Sequence, residues 1–320
     1  MIPGLWRLRL PLPLPGVPHC NAWAIARGDG VVLVDTGMHE PGSFFELERA
    51  FAQVGLSVEQ VSLLVCTHAH IDHWGQAATI CDRAGCELWM HPKHEHGMQT
   101  VTDPDVALAR RLEIGRQSGV PESTLARVAE RIRDMPSGIA RLIEPDGDLV
   151  AGVAIETDLG VWKVYETPGH APSHVCLFQA ERRLLISGDH VLGRISLYFD
   201  YGWTPDPIGE FLGSLDVIDE LDARLALSGH GRPFLDVHGH IEGNRRLVRE
   251  RLDRAVAAIS DGPRTALEIT PAVHDEPLTE TNAGWWLPET LCYLNHLARL
   301  GRAESVPDGG VERWVATLSN

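Results

Sequence analysis

The stretch Thr67-His68-Ala69-His70-Ile71-Asp72-His73 decides how this sequence is interpreted. It follows a run of apolar residues, which predicts a buried strand, and it precedes the start of a predicted helix. Residues two apart in an extended segment point to the same side, so His68 and His70 face one spot. Asp72 and His73 lie at the first helical turn and face a neighbouring spot. One short loop could therefore supply two ligands to each of two adjacent metal ions.

Three further ligand-type side chains each follow a predicted strand and a small residue. They are His170 after residues 161–166, Asp189 after residues 183–187, and His230 after residues 224–228. The glycine before each one allows a sharp turn, so that the next side chain can face a common cleft. Five imidazoles and two carboxylates suit zinc, and iron or manganese would also fit. The sequence predicts a site for two divalent metal ions built from His68, His70, Asp72, His73, His170, Asp189 and His230.

This order of motifs resembles the metallo-β-lactamase superfamily, whose pattern is HxHxDH followed by His, Asp and His. The resemblance covers about residues 17–236. It implies an α/β fold of the αββα sandwich type, in which two sheets lie between two layers of helices. The segment Val34-Asp35-Thr36-Gly37 also resembles a family motif, in which the aspartate, here Asp35, orients the loop that carries the ligands.

The resemblance also implies how the ligands divide between the two ions. One ion would bind His68, His70 and His170, and the other would bind Asp72, His73 and His230, with Asp189 as the bridge. True metallo-β-lactamases usually lack the bridging carboxylate, whereas glyoxalase II, lactonases and phosphodiesterases of this fold carry it. The presence of Asp189 therefore argues against β-lactam hydrolysis. Residues 206–215 and the C-terminal region resemble glyoxalase-II-like hydrolases with a C-terminal winged helix.

The sequence predicts a hydrolase domain at residues 1–236 and a helical, winged-helix-like domain at residues 237–320. A polar helical stretch at about 94–134 is long for a connection inside an α/β layer, which indicates an insertion that could act as a lid. Short apolar runs between 141 and 187 are separated by turn residues and predict a β-meander. An amphipathic pattern at 241–260 predicts a long helix in the appendage.

Composition restricts the partners and the location. The 320 residues carry a formal net charge of -16, and a surface this acidic disfavours nucleic acid as a partner. The sequence contains no run of about 18 apolar residues, so no membrane span is expected. Prolines interrupt the segment from Met1 to Pro18 that would otherwise suit a signal peptide. We therefore expect a cytoplasmic protein with reduced cysteines.

The expected reaction is hydrolysis of an ester-type acyl bond, a thioester or a lactone, in a small-molecule or carrier-linked substrate. Two divalent ions would provide a bridging hydroxide at neutral pH and would stabilise the oxyanion that forms on attack. Asp189 would hold both ions, and Asp72 is the protein group expected to carry the proton to the leaving group. Tyr198, Tyr201 and Trp203 follow the bridging aspartate and are candidate substrate-binding side chains.

Two other functions stay open. An RNA or phosphodiester hydrolase would use the winged helix and an arginine run on the long helix, and it would bind RNA with an affinity that falls steeply with salt. That run comprises Arg245, Arg246, Arg249, Arg251 and Arg254. A non-enzymatic binding protein on the same fold is the other alternative, although no ligand position is missing. A homodimer formed through the C-terminal helices is a further hypothesis.

Several histidines outside the ligand set also have two interpretations. His91, His94 and His96 crowd into one short segment that could hold a third metal ion, but a completing ligand is missing, which favours a solvated helix start. His174 and His190 flank ligand motifs, and a positioning role and plain packing are equally compatible with the sequence.

Overall fold

A computed structural model describes residues 2–14 and 16–317, so Met1 and residues 318–320, at the ends of the predicted domains, lie outside the described residues. The first sheet has six strands in sequence order: β1 (Leu5–Leu14), β2 (Val17–Arg27), β3 (Gly30–Val34), β4 (Val61–Val65), β5 (Glu87–Met90) and β6 (Gly147–Asp148). The second sheet, in the order β11-β10-β9-β8-β7, comprises β7 (Ala154–Thr157), β8 (Gly160–Glu166), β9 (Val175–Gln179), β10 (Leu184–Gly188) and β11 (Leu225–Ser228).

Helices cover the outer faces of both sheets and form the inserted segment. In chain order they are α1 (Ser43–Gln53), α2 (Ile71–Trp74), α3 (Ala77–Ala84), α4 (Glu95–Thr102), α5 (Pro104–Gln117), α6 (Glu122–Arg133), α7 (Pro207–Asp219), α8 (Val237–Ile259), α9 (Ala266–His274) and α10 (Ala283–Arg299). A short 3-10 turn spans Val58–Gln60. A third sheet, in the order β12-β14-β13, comprises β12 (Arg264–Thr265), β13 (Ala303–Asp308) and β14 (Val311–Ala316).

The buried side chains form layers that follow this arrangement. Val32 of β3 and Val65 of β4 pack against Trp162 and Ile186 of the second sheet, which makes the core between the two sheets. Leu33, the neighbour of Val32, points the other way, into the core under α1 and α3. A central strand buried on both faces is therefore apolar at consecutive positions, as residues 31–34 before Asp35 are. The layer order is helix, sheet, sheet, helix, which confirms the expected αββα fold.

The metal-ligand loops lie where parallel strands end. β3, β4 and β5 pair in parallel in the first sheet, and β10 and β11 pair in parallel in the second. Asp35, His68, Asp189 and His230 each follow the carboxyl end of one of these strands. Side chains at such ends collect along one edge of an open α/β sheet, which is where ligands bind in folds of this type.

The first two strands are the largest departure from the sequence patterns. Prolines break the apolar run before residue 18, yet β1 pairs antiparallel with β2 from Leu5 to Pro11. β1 is the edge strand of its sheet, so an amide that faces away from β2 needs no partner, and Pro11 and Pro13 are tolerated there. Pro15 lies outside the described residues. The single helix predicted to begin at the ligand loop is divided into α2 and α3.

The insertion is helical as predicted, because α4, α5 and α6 together occupy most of residues 94–134. The C-terminal elements share one buried cluster with the second sheet, which includes Phe178, Phe211, Val248, Tyr293 and Trp314. The division at residue 236 and the winged-helix assignment stay predictions. In the part of the chain that the structure describes, no helix is both long and apolar enough to cross a membrane.

Candidate metal centre

Three imidazole nitrogens converge at the end of β4. His70 Nδ1 lies 3.0 Å from His68 Nε2 and 3.0 Å from His170 Nε2. His68 and His70 come from the loop before α2, and His170 comes from the loop after β8. Such nitrogens repel one another unless a proton or a cation lies between them, and three of them within this distance are typical of a metal site.

Asp189 lies between this trio and a second group of ligand-type side chains. Its Oδ2 is 3.0 Å from His230 Nε2 and 3.8 Å from His170 Nε2, whereas its Oδ1 is 3.6 Å from His73 Nε2. Asp72 Oδ2 closes the second group, at 3.3 Å from His230 Nε2 and 3.7 Å from His73 Nε2. The structure thus brings all seven predicted ligand residues into one cluster.

The outer nitrogen of each of the five histidines is held by an oxygen atom. The partners, all at 2.9–3.0 Å, are Thr67 Oγ1 for His68, Asp200 Oδ2 for His70, Asp35 Oδ2 for His73, the Tyr198 carbonyl for His170, and the His19 carbonyl for His230. When the outer nitrogen donates its proton, the inner nitrogen keeps its lone pair. Histidine ligands of metal ions are almost always oriented in this manner.

Two buried atoms at the centre of the cluster support the same conclusion. His73 Nε2 and Asp189 Oδ1 are shielded from solvent and make no hydrogen bond within the described residues. A buried polar atom without a partner costs about 1–3 kcal/mol, and a charged one costs more. The ligand atoms of each trio in the cluster lie within 4.8 Å of one another. The donor set, its spacing and these unpartnered atoms fit divalent metal ions.

Charges and burial set the protonation of the cluster in the absence of a cation. Burial, together with His73, holds the pKa of His68 well below its usual range, and burial with His70 lowers the pKa of His170 to about 4. Burial opposes ionisation of Asp189, but the charges of His230 and His73 hold its pKa well below its usual range. Burial opposes protonation of His73 and His230, but the charges of Asp72 and Asp189 raise the pKa of His73 well above its usual range and that of His230 to about 10. His68 and His170 are therefore neutral without a cation, whereas a metal ion that binds His73 and His230 must displace their protons.

Asp35 connects the two ends of the ligand loop. Its carboxylate accepts the Thr67 amide at 2.8 Å, the Thr67 hydroxyl at 3.0 Å and His73 Nδ1 at 2.9 Å. The hydroxyl of Thr67 can then accept the proton of His68 Nδ1. Asp35 is fully enclosed, and its φ of 66° places it in the left-handed region. One buried carboxylate therefore fixes the orientation of His68 and His73 together.

Close packing explains two of the glycines that precede ligands. A Cβ on Gly229 would lie 2.2 Å from Asp189 Oδ1 and 2.7 Å from His73 Cε1. A Cβ on Gly169 would lie 2.5 Å from the backbone of Phe211, and Gly169 has a φ of +128°. The first glycine leaves room for the carboxylate, and the second has a backbone conformation that side chains rarely adopt.

His174 is one of the two flanking histidines, and it contacts the cluster directly. Its Nδ1 donates to the Thr167 hydroxyl at 2.8 Å, which leaves Nε2 free to accept the Asp189 amide at 3.1 Å. It therefore orients the backbone of the central carboxylate. His190 is buried against Phe211, with ring centroids 4.8 Å apart, and both of its nitrogens lack a hydrogen-bond partner within the described residues.

The three candidate substrate-binding side chains lie in different places. The ring centroid of Tyr198 is 5.6 Å from those of His70 and His170. Trp203 is covered by the Arg110 guanidinium at 4.5 Å, and its ring is 6.1 Å from that of His96. Tyr201 packs against the C-terminal core instead. Substrate binding by all three stays a prediction.

Two other sequence features can now be located. Three of the five arginines in the run on α8 form ion pairs within the chain. The pairs are Arg245 with Asp216 and Asp219, Arg251 with the buried Glu289, and Arg254 with Asp275.

Of the crowded histidines, His91 pairs with Glu166 at 3.1 Å and His94 donates to the His91 carbonyl. His96 instead contacts Asp200, a residue that the sequence patterns did not single out.

Comparison with known proteins gives a consistent result. The profile of a protein family described as the metallo-beta-lactamase superfamily matches residues 15–254. The chain is 26% identical over 267 residues to the probable metallo-hydrolase YqjP of Bacillus subtilis (strain 168), which is 79% of this chain and 82% of that protein. It is 22% identical over 305 residues to an atrochrysone carboxyl ACP thioesterase of Aspergillus chevalieri, covering 92% of this chain and 80% of that protein. A solved structure, the metallo-beta-lactamase family protein TTHA1429 from Thermus thermophilus, aligns with a TM-score of 0.84 at 27% identity, over 99% of both chains.

Proposed function

The chain belongs to the metallo-beta-lactamase superfamily, and on that premise we propose that it is a hydrolase that cleaves an ester-type acyl bond, a thioester or a lactone, with two divalent metal ions. The position of Asp189 carries this proposal. Its two oxygens lie near His73 and His230 of the second ligand group, and one of them also lies 3.8 Å from His170 of the first group, so this carboxylate could be shared between two ions. Zinc is the preferred metal for five imidazoles and two carboxylates.

The residues of the chain have separate tasks in this reaction. When bound, the ions supply a nucleophile from water at neutral pH and stabilise the negative charge that develops on the acyl oxygen. The five oriented imidazoles, Asp72 and Asp189 would hold the ions in fixed positions. Asp72 is about one-eighth exposed, so it can reach a bound substrate as well as the cluster. Its carboxylate can take up a proton and deliver it to the departing thiolate or alkoxide.

The thioester is the first substrate class to test. The similarity to a protein named as an ACP thioesterase extends over 92% of this chain and supports an acyl group presented on a carrier. Trp203 and Arg110 provide an aromatic ring and a cation near His96, at the junction of α5 with the loop after β10. An aromatic surface with a cation beside it suits an elongated acyl chain attached to a polar carrier arm.

The test begins with metal content. The purified chain, Asp189→Ala and His170→Ala are analysed for bound metals by elemental analysis. His238→Ala is the control, because that histidine is exposed and its ring bonds to Asp219 alone within the described part of the chain. About two ions per chain are expected in the wild type and the control, and fewer in both ligand variants. Acyl thioesters of N-acetylcysteamine, lactones and an activated phosphodiester are then compared as substrates.

The outcomes separate the possible functions. Thioester or lactone hydrolysis that is lost in Asp189→Ala and retained in His238→Ala would support the proposal. Cleavage of the phosphodiester alone, with RNA binding that weakens steeply as salt rises, would replace it with the nuclease function. A wild type that holds no metal and cannot be reconstituted would leave a binding protein on a hydrolase fold.

A further inference from the structure

His70 and His96 share one carboxylate that is outside the predicted ligand set. Asp200 Oδ2 lies 2.9 Å from His70 Nε2 and 3.0 Å from His96 Nδ1. The side chain of His96 is 2% exposed and that of Asp200 is 12% exposed, so solvent competes little for these bonds. His96 belongs to the first turn of α4, in the insertion, and Asp200 follows the bridging Asp189 in the second half of the chain.

The hydrogen bonds continue from His96 to the backbone of the metal-ligand loop. His96 Nε2 is 2.8 Å from Ser173 Oγ, and the same hydroxyl oxygen accepts the amide of Ala69 at 3.1 Å. Ala69 immediately precedes His70, so the contacts form a closed ring. The ring begins at the side chain of His70 and ends at the amide of Ala69 in the same loop. Asp200, His96 and Ser173, which come from distant parts of the chain, thus enclose one side of His70.

Donors and acceptors in this ring fit together in one consistent pattern. The Ala69 amide donates to Ser173 Oγ, and the Ser173 hydroxyl donates to His96 Nε2. His96 then carries its proton on Nδ1, which lies 3.0 Å from the Asp200 carboxylate, and the same carboxylate accepts the proton of His70 Nε2. With that proton on Nε2, His70 Nδ1 has a free lone pair, and this is the atom that lies 3.0 Å from His68 and His170.

We propose that Ser173, His96 and Asp200 form a hydrogen-bond relay that holds His70 in the metal-binding tautomer, so that the insertion is part of the metal centre. These three are positioning residues, because they would act on the metal ion through His70 and are outside the predicted ligand set. The inference extends the proposed function and rests on it for the presence of a metal ion. Partners of this kind typically change metal affinity by about 10–100-fold.

The packing of α4 indicates that its first turn is fixed to the ligand loop. A Cβ on Gly97, next to His96, would lie 1.8 Å from the carbonyl oxygen of Ala69, so the two backbones are in direct contact. Both Gly97 and Ala69 are buried. An insertion that only opened and closed over the cleft would not need this contact. The close packing at Gly97 and the contacts of the relay both join α4 to the ligand loop.

A third metal ion at this position is the competing interpretation, since His70, His96 and Asp200 bring three ligand-type atoms within 4.8 Å of one another. The contacts differ from those in the main cluster, however. Here each close pair joins a nitrogen that can donate a proton to an oxygen that accepts one. In the trio of His68, His70 and His170 the close pairs instead join two ring nitrogens, which need a proton or a cation between them.

The experiment uses the full chain and three variants. Asp200→Asn keeps the shape but removes the charge, and His96→Ala removes the intermediate ring. His94→Ala is the matched control, because His94 lies at the same helix start but, among the residues that the structure describes, its ring bonds only to the His91 carbonyl. Zn²⁺ affinity is measured by competition with a chromophoric chelator, and the absorption spectrum of the Co²⁺-loaded protein reports the ligand geometry. Thermal unfolding of the metal-free proteins identifies any variant that does not fold.

We expect Asp200→Asn and His96→Ala to weaken the affinity for one Zn²⁺ ion about 10–100-fold and to alter the Co²⁺ spectrum, with His94→Ala unchanged. Folded variants with wild-type affinity and spectrum would overturn the relay. Three ions in the wild type and two in the variants would overturn it in favour of a metal at Asp200. A wild type that binds Zn²⁺ but hydrolyses no acyl substrate would refute the proposed function while leaving the relay intact.

Discussion

Gly229→Ala is the sharpest test of the central carboxylate, because it changes no ligand. The added Cβ would lie 2.2 Å from Asp189 Oδ1. Carbon and oxygen atoms normally approach to about 3.3–3.6 Å, so one of the two groups has to move by about 1 Å. Gly229 does not have a positive φ, so alanine is compatible with its backbone conformation.

The backbone of Gly229 has little freedom to take up this displacement. Its amide donates to the Gly188 carbonyl at 2.8 Å, and its carbonyl accepts the Asn21 amide at 2.7 Å. The Asp189 side chain is therefore the group that moves, together with His73, which would lie 2.7 Å from the new methyl group. A displacement of about 1 Å at reacting groups can cost about 10²-fold in rate, equivalent to about 2.7 kcal/mol.

The assay combines metal affinity with turnover of a thioester. Gly229→Ala should bind metal at least tenfold more weakly and should lose about 10²-fold in kcat/KM. Gly213→Ala is the control, because a Cβ there meets nothing within 4 Å. If Gly229→Ala folds, binds metal and turns over substrate as the wild type does, Asp189 is not the group that holds the ions together, and the assignment of the centre is refuted.

Three further predictions concern positioning, metal-linked stability and pH. Asp35→Asn should weaken metal binding about 10–100-fold in the same chelator competition, because the charge that orients His73 is lost; unchanged affinity would contradict this role. Removal of the ions by a chelator should lower the free energy of unfolding by about 2.7 kcal/mol when the free ion is at 100 times its Kd, and thermal unfolding of Asp189→Ala should show no such change. Burial, together with Arg251, lowers the pKa of His274 to about 3 from its ordinary 6.5, so its neutral ring stabilises the fold fully above pH 6.5 and progressively less as the pH falls towards 3. Between pH 6.5 and 5 the free energy of unfolding should fall by about 2 kcal/mol for this reason. His274→Phe preserves stacking on Trp286 and should reduce the fall measured by urea unfolding by that amount. The same fall with pH in the variant and the wild type would argue against this role of His274.

Those parts of the fold that depend on local patterns could be predicted from the sequence. The buried strands β3 and β4 are apolar at consecutive positions and end directly before Asp35 and the ligand loop. Local patterns did not predict β1, because proline has no amide proton and is therefore unfavourable in a strand that has a hydrogen-bonded neighbour on each side. Its place at the edge of the sheet removes that requirement, and edge position depends on the whole topology.

The same distinction applies to the candidate site. His68, His70, Asp72 and His73 lie in one short segment, so their spacing predicted these four members of the cluster, and the other three members were predicted from their places after strands. Asp200 has no such signal, because an isolated aspartate among aromatic residues is compatible with many roles. Its contact with His70 joins residues 130 positions apart, and only the packed chain brings them together.

The insertion shows why a ligand motif alone underestimates a metal centre. Five histidines can face one point only if each outer nitrogen has an acceptor, and those acceptors come from β2, from the end of β3, from the ligand loop and from the loop after β10. For His70 the acceptor is itself held by His96, which reaches it from the insertion. A change in the insertion that leaves all seven ligands intact can therefore alter metal binding, whereas the first turn of α4 cannot open as a lid without breaking the hydrogen bonds that orient His70.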